Sequence, residues 1–395
     1  MLLSQLAFSA TVALLAAAAS AYNLPASPIY GVNLGGWLVA EPWMLPKEWA
    51  RMGSASAKSE RALMSLNLPG TQRAFKEHWD SWLTEQDIKD LVHNHGINTF
   101  RIPLGHWIVE KTTTPDETFP KGGYQYLVRA LGWIRNARAY AILDLHGAPG
   151  GQADNPFTGQ TGSIKFYTPD NYERALLWAR NMTRLAHKEG RGVVMGIEAV
   201  NEPLMDPKRT PGLGQYYLDF ASAVREEEAT LQIPCGPTRV GGNGPYEDCL
   251  NLVFMDQHWQ YSDENNPANA CIGHCIYDSH DYACFGGPSS NDLRGYLGWF
   301  CNDNRNQQDQ QKGNYPVFTG EYSLCNSFSA SNSELQTLGQ AEQFTLGAAY
   351  GAVGWIYWNF KVEAGVGDPW DYRVMVDQGI LPRVPGTGDP AACSF

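Results

Sequence analysis

The chain is predicted to fold as a single α/β domain, a (β/α)8 TIM barrel. Three observations predict it. Short apolar stretches with strand character alternate with helical patterns about eight times along the chain. No composition break or linker divides the 395 residues. Polar and aromatic side chains recur at the carboxyl ends of the strand-like stretches, the end where barrels of this class hold their functional groups. A doubly wound open sheet is the alternative. It would be expected to carry a glycine-rich nucleotide loop after its first strand, and Gly35-Gly36 fits no G-x-G-x-x-G.

The amino terminus is set apart from this pattern. Residues 2–19 are apolar and rich in alanine, and Ala19-Ser20-Ala21 offers a small-residue cleavage site. The run lacks a basic start, but it is short for a bilayer span, so a signal peptide over residues 1–21 is expected rather than an anchor. Residues 22–395 are then one secreted domain, not held by a membrane once the leader is gone. All eight cysteines lie in the second half of the chain. An even count in an exported chain predicts disulfides, with on the order of a hundred connectivities open. Cys271, His274 and Cys275 also have zinc-ligand chemistry, but oxidising export favours disulfides there. Asn181-Met-Thr183 is a glycosylation sequon. The net charge of −12 argues against a nucleic-acid partner.

The elements follow in order. Residues 29–39 (IYGVNLGGWLV) form a first strand, stopped by Glu41-Pro42. Residues 61–66 and 71–79 are helical, and Thr84-Glu-Gln-Asp87 is a capping box with Asp as its acceptor. Ile88, Leu91 and Val92 give the next helix an apolar face, and Gly96 ends it. His93 and His95 form an H-x-H pair there. They precede a strand, on the wrong face of a barrel for chemistry, so a structural role is expected. Residues 97–104 are the second strand, 124–137 a helix and 140–146 the third strand, followed by a glycine-rich loop. Thr168-Pro169 opens a helix whose inner stripe includes Ala175, Ala179, Met182 and Ala186, with Asn181 opposite and so facing outward. Residues 192–200 are the fourth strand, apolar on both faces, broken at Asn201-Glu202-Pro203. Residues 213–229, 291–302 and 334–350 are helical. Residues 250–259, 271–282, 315–321 and 351–358 are the last four strands.

One rim of such a barrel collects chemistry. Glu202 and Glu321 end the fourth and seventh strands. Two carboxyls across one bond are what glycoside hydrolysis needs, one to protonate the leaving oxygen and one to attack the anomeric carbon. Arg101 beside a carboxylate holds it ionised, which suits a nucleophile. Asn201 is placed to hydrogen-bond a sugar hydroxyl, and Trp358 to stack on the ring. Glu41, His146, Trp259, His280 and Tyr282 complete the rim. Glu198 competes with Glu202 for the acid role. Alternation puts both on one face with Glu198 two pleats deeper, so Glu198 is assigned to the barrel interior. The 13 Trp, 19 Tyr and 15 Phe supply core and, on a rim, flat apolar faces for pyranose rings.

These motifs together resemble the secreted fungal β-glucanases of glycoside hydrolase family 5. The stretches that carry the likeness are Gly31-Val-Asn-Leu-Gly-Gly-Trp-Leu-Val39, Phe100-Arg-Ile-Pro103, Leu143-Asp-Leu-His-Gly-Ala-Pro149, Asn201-Glu-Pro203, Gly320-Glu-Tyr-Ser323 and Gly354-Trp-Ile-Tyr-Trp358. The resemblance implies a retaining hydrolase with no metal or other cofactor, acting as a monomer on β-glucan. It implies that Glu202 is the acid/base and Glu321 the nucleophile. Glu41, Arg101, His146, Asn201, His280, Tyr282 and Trp358 would surround the bound sugar, and Trp259 of the same rim is taken to join them. It also implies a Cys301–Cys393 disulfide. Tyr322 and Phe360 stand where related enzymes often have Trp, and are expected to alter the shape of a sugar subsite. Residues 147–162 and Phe119-Pro-Lys-Gly-Gly123 look most similar to the endo-β-1,6-glucanase branch. The first-strand motif is shared with exo-β-1,3-glucanases, the second candidate. A third is a secreted glucan-binding protein that has lost catalysis, against which both glutamates stand.

Overall fold

The computed structural model of the chain describes residues 24–394, except 234, 236–248, 261–263, 304, 348 and 366–367. The signal-peptide expectation therefore lies outside the described residues. Eight parallel strands close into one barrel in sequence order. They are β1 (Ile29–Asn33), β2 (Thr99–Gly105), β3 (Tyr140–Gly147), β4 (Val194–Glu198), β5 (Asn251–Met255), β6 (Cys275–His280), β7 (Val317–Tyr322) and β8 (Ala352–Tyr357). Closure is made by β1 pairing with β8, Val32 opposite Tyr357.

The barrel interior is layered because side chains on one face of a strand recur every two residues. Its floor is apolar, built from Ile29, Ile142, Met195, Val253, Ile276 and Phe318, with Val353 and Ile356. Two residues further along β3 and β6 stand Asp144 and Asp278, and two further again His146 and His280. Floor, charged middle and rim are thus spelled Ile142-Asp144-His146 and Ile276-Asp278-His280. A larger apolar layer packs outside the strands, against the helices. The helix Pro169–Lys188 buries Ala175, Ala179, Met182 and Ala186 into that layer, as its stripe predicts. The capping box at Thr84 and Asp87 is present with both bonds. His95 lies at the foot of that helix, its Nε2 3.2 Å from Asp90 Oδ2.

Several elements differ from their sequence reading. β1 ends at Asn33, and residues after it turn away from the sheet to carry Glu41 over the barrel. β4 ends at Glu198 and β5 at Met255, each because its carboxyl end bends into the rim. No long helix follows β5 among the described residues, where a single turn Gln257–Gln260 and a 3-10 turn Pro267–Ala270 serve instead. Helices Pro46–Met52, Arg305–Gln311 and Tyr372–Asp377 were not legible in the pattern. Asn181 does not face freely outward. It is half-buried with Nδ2 donating to Leu177 O at 2.6 Å, and Thr183 of the sequon is fully buried. The cysteines pair as Cys235–Cys249, Cys271–Cys275, Cys284–Cys325 and Cys301–Cys393. The Cys271–Cys275 bond removes the zinc reading of that stretch. Cys301–Cys393 closes a separation of 92 residues and ties the tail to the helix Leu293–Cys301. Among the described residues no helix is long and apolar enough to cross a membrane.

Glu60 anchors the long β1–β2 connection. It is fully buried, and its Oε1 accepts the backbone N–H of Ala40 at 2.8 Å, next to Glu41. Burial pushes its carboxyl from 4.5 up to about 8, against the pull of the Ala40 N–H and the Trp107 side chain. A raised folded pKa means the folded chain holds this proton where the unfolded chain has lost it. Its contribution is therefore favourable below the unfolded pKa and is lost as pH rises toward 8. Glu60→Gln keeps the acceptor and removes the titration. Its Tm should match that of the unaltered protein at pH 5 and exceed it at pH 8. Equal Tm values at both pH values would refute the burial argument.

Candidate active site

The centre of the site is a guanidinium. Arg101 on β2 is fully buried, and all its donor groups are used. Nε donates to Glu198 Oε2 at 2.9 Å and lies 3.2 Å from Asp278 Oδ2. Nη1 donates to Glu321 Oε1 at 2.9 Å and Asn33 Oδ1 at 3.1 Å. Nη2 donates to Asn201 Oδ1 at 2.8 Å and lies 3.1 Å from Asp144 Oδ2. Burial works against this charge, but Asp144, Glu198, Asp278 and Glu321 outweigh it and hold the group cationic. The carboxyls are crowded in return. Burial, opposed by Arg101, pushes Asp144 up to about 7 and Glu198 up to about 8. Glu198 is therefore an interior group, as its depth in the strand predicts.

Arg101 itself does not line the cleft above. The expectation that it touches substrate is corrected, since it acts from below on the groups that do. Asn201 is one of them. Its Oδ1 is taken by Arg101, which turns the buried Nδ2, without a protein partner, toward the cleft.

Glu321 sits at the carboxyl end of β7, 5% exposed. Arg101 serves one oxygen, and Tyr282 O–H donates to the other at 2.8 Å. The register places His280 of β6 directly beside it. Burial raises its pKa from the ordinary carboxyl value, while His280 and Arg101 pull it back. Gly320 before it lets the Asp278 carboxylate accept the Gly320 N–H at 2.7 Å. A Cβ at 320 would lie 2.1 Å from that oxygen.

Glu202 arrives by a different device. β4 has already ended, so pleat alternation does not carry it to the rim. Glu202 instead has φ +40°, a left-handed backbone uncommon for a residue with a Cβ, which costs on the order of 1–3 kcal/mol. The turn delivers its carboxylate to His280, Oε1 to Nδ1 at 2.8 Å. Burial disfavours a charge on His280, but Glu321 and Asp278, with hydrogen bonds to Asp278 and Glu202, raise it well above the ordinary imidazole range. A carboxylate oxygen of Glu202, one of Glu321 and a ring nitrogen of His280 all lie within 4.8 Å of one another.

These groups open into a cleft of about 920 Å³. Trp358 forms one wall and stacks on His146, ring centres 5.5 Å apart and 9° from parallel. His146 gives Nδ1 to Asp144 at 2.7 Å and leaves Nε2 without a protein partner. Burial pushes its pKa down to about 3, so the ring is neutral. Glu41 is 4% exposed and accepts the indole N–H of Trp43 at 2.9 Å. Burial, and then Glu321 and Glu202, push it up to about 8 against that bond. Trp259 reaches the cleft with its indole N–H on Pro203 O at 2.9 Å.

Tyr322 and Phe360 are absent from this lining. Both are fully buried, Tyr322 against Trp355 and Tyr357, Phe360 against Trp82. The expectation that they shape a subsite is corrected. Sequence reasoning missed Trp43, Phe157, Phe285, Trp370 and Arg305, which do line the cleft. A scan for aromatic residues in the loops after the strands would have found the first four. It also missed Gln152, whose Nε2 donates to His146 O and Asn201 O at 2.7 and 2.9 Å and so joins the ends of β3 and β4.

A cleft at the carboxyl end of a parallel barrel, walled by aromatic rings and holding two close glutamates from β4 and β7, defines a barrel glycoside hydrolase. A family model described as cellulase (glycosyl hydrolase family 5) matches residues 59–364, and the chain belongs to that family. It is thus a glycoside hydrolase of the retaining type. It is 33% identical over 376 residues to "Glucan endo-1,6-beta-glucosidase B" of Emericella nidulans, covering 91% of this chain and 87% of that protein. It is 26% identical over 405 residues to "Glucan 1,3-beta-glucosidase" of Yarrowia lipolytica, covering 91% and 90%. Among solved structures, the rutinosidase from Aspergillus niger superposes with a TM-score of 0.70 over 90% of this chain and 98% of its own, at 19% identity, a likeness of fold.

Removing Arg101 should be costly, because one cation holds four carboxyls. Arg101→Met is expected to lower the unfolding free energy by about 3–5 kcal/mol at pH 7. The loss should shrink in acid, where the stranded carboxyls take up protons. Urea denaturation at the two pH values measures both. An unchanged midpoint at pH 7 would sink the claim that the guanidinium organises the site.

Proposed function

We propose that the protein is a secreted endo-β-1,6-glucanase working by double displacement, with Glu321 as nucleophile and Glu202 as acid/base. The observation that carries the roles is the difference in hydrogen bonding of the two glutamates. Glu321 receives bonds from Arg101 and Tyr282, which favour its anionic form and aim it. Glu202 is bonded to His280 and is the more open to the cleft, its side chain 20% exposed against 7% for Glu321, so a leaving oxygen and then a water can reach it. Their closeness fits the ~5–5.5 Å separation of retaining enzymes.

The chemistry follows from those positions. A Glu321 oxygen attacks the anomeric carbon and forms an ester bond. The electrons of the broken glycosidic bond pass to the leaving oxygen, which takes a proton from Glu202. Glu202, now a carboxylate, then accepts a proton from water as the water attacks the same carbon. The bond to Glu321 breaks, and the second inversion restores the starting configuration. Asn201 Nδ2 and His146 Nε2 are unpaired groups aimed at the sugar hydroxyls in this step. Trp358 offers the ring face beneath the sugar. No nucleic acid or membrane enters the reaction, and the domain of residues 22–395 is taken to act as a monomer after removal of residues 1–21.

The linkage rests on the relatives. "Glucan endo-1,6-beta-glucosidase B" of Emericella nidulans shares 33% identity with this chain and "Probable glucan endo-1,6-beta-glucosidase B" of Neosartorya fischeri 35%, against 26% for "Glucan 1,3-beta-glucosidase" of Yarrowia lipolytica. An exo-β-1,3 activity is the second reading, favoured by the shared β1 motif. The purified protein should release a ladder of oligosaccharides from pustulan, a β-1,6-glucan, and little from laminarin. Glucose alone from laminarin ends would replace the β-1,6 reading with the β-1,3 one. Binding without hydrolysis of either would make the protein a glucan-binding one.

A further inference from the structure

The segment after β6 continues past the cleft described above. Asp281 and Gly286 line the cleft. Gly287, next in sequence, has φ +118°, open to glycine and strained for other residues. A Cβ there would lie 2.9 Å from each of three consecutive atoms of the six-membered ring of Trp299. Equal distances to consecutive ring atoms put that point over the face of the ring and not at its edge. The indole therefore rests face-on against the Gly287 backbone. Burial raises the pKa of the Asp281 carboxyl, and after Arg305 the Trp299 indole beside it works against that rise. The parts that carry the indole are fixed as well. Cys284–Cys325 ties the start of the segment to the exit of β7, and Asp292 caps the helix bearing Trp299 by accepting the Gly295 N–H at 2.8 Å. Yet 40% of Trp299 stays exposed, although the ring is held on one face.

We infer that Trp299 is a distal sugar platform, which takes a glucosyl unit of the β-glucan chain after that chain has left the cleft. A flat apolar ring, held on one face and 40% exposed, stacks on the C–H face of a pyranose with little loss of conformational freedom. The occupant is the substrate chain itself, because the platform is continuous with the cleft through Asp281 and the Gly286-Gly287 backbone. The inference rests on the glucanase reading above and adds a subsite to it. Trp299 touches no reacting group, so it contributes to long chains and not to short ones.

The test compares the unaltered protein with Trp299→Ala and Trp299→Phe on β-1,6-linked and β-1,3-linked gluco-oligosaccharides of rising length. An aromatic contact contributes about 0.5–1.5 kcal/mol, so kcat/KM on the longest chains should fall about two- to twelvefold in Trp299→Ala. The loss should appear in KM, Trp299→Phe should recover part of it, and the shortest cleaved substrate should be unaffected. An equal loss at every length would mean a structural role, and no loss at any length would mean no platform. Either overturns the inference. Failure of the glucanase reading is seen separately, as unaltered protein that cleaves neither series. In that case, gel retardation by pustulan of Glu321→Gln with and without Trp299→Ala still reads the platform. Equal mobility of the two overturns it.

Discussion

One guanidinium is shared among four carboxyls at the heart of this barrel. Arg101 cannot leave, because Asp144, Glu198, Asp278 and Glu321 converge on it from β3, β4, β6 and β7. Nor can they ionise together without it, since all lie in a region from which water is excluded. The mutual need pins the inner side chains of five strands to one point. Three groups of the rim inherit their positions from there. Glu321 is held directly, Asn201 through its amide oxygen, and His146 through Asp144. The arrangement gives the site two electrostatic levels. A buried ion cluster centred on Arg101 lies below, and above it stand Asn201 and His146, each with a nitrogen free on the cleft side.

The same two-level design explains why Glu202 needs a strained backbone while Glu321 does not. Glu321 is still in a strand, and its neighbour in register is His280. Glu202 lies four residues beyond the end of β4, where no ladder fixes it. A left-handed turn aims it, and the hydrogen bond to His280 holds it there. His280 thereby stands between the two glutamates, bonded to one and 3.6 Å from the other. A charge on this ring therefore acts on both carboxyl groups, on one through a hydrogen bond and on the other at longer range.

Much of this was legible in the chain. The eight strands could be read because apolar runs of fixed length alternate with helical stripes. Glu202 and Glu321 could be read because each closes a short apolar run, Glu202 just before Pro203 and Glu321 just after Gly320. The depth of Arg101 was not legible, since a strand reading gives the face of a residue but not the layer its long side chain reaches. The course of residues 34–40 was not legible either, because apolar loop and apolar strand look alike when both are buried. Tyr322 and Phe360 misled for another reason. Related enzymes often carry Trp at these positions, which suggested a subsite role, but both side chains are fully buried and belong to the core. The aromatic wall of Trp43, Phe157, Phe285 and Trp370 comes from four separate loops, and no local pattern announces that they meet.

The central claim is that the charge cluster below the cleft makes Glu321, and not Glu202, the group that bonds to the sugar. An activated 2-deoxy-2-fluoro-β-glucoside tests this most directly, because the fluorine slows release of the covalent intermediate more than the good leaving group slows its formation. After brief incubation, digestion and mass spectrometry should find one fluoroglucosyl group, on the peptide containing Glu321. A label on the peptide containing Glu202, or steady hydrolysis with inversion and no label on any peptide, would contradict the account.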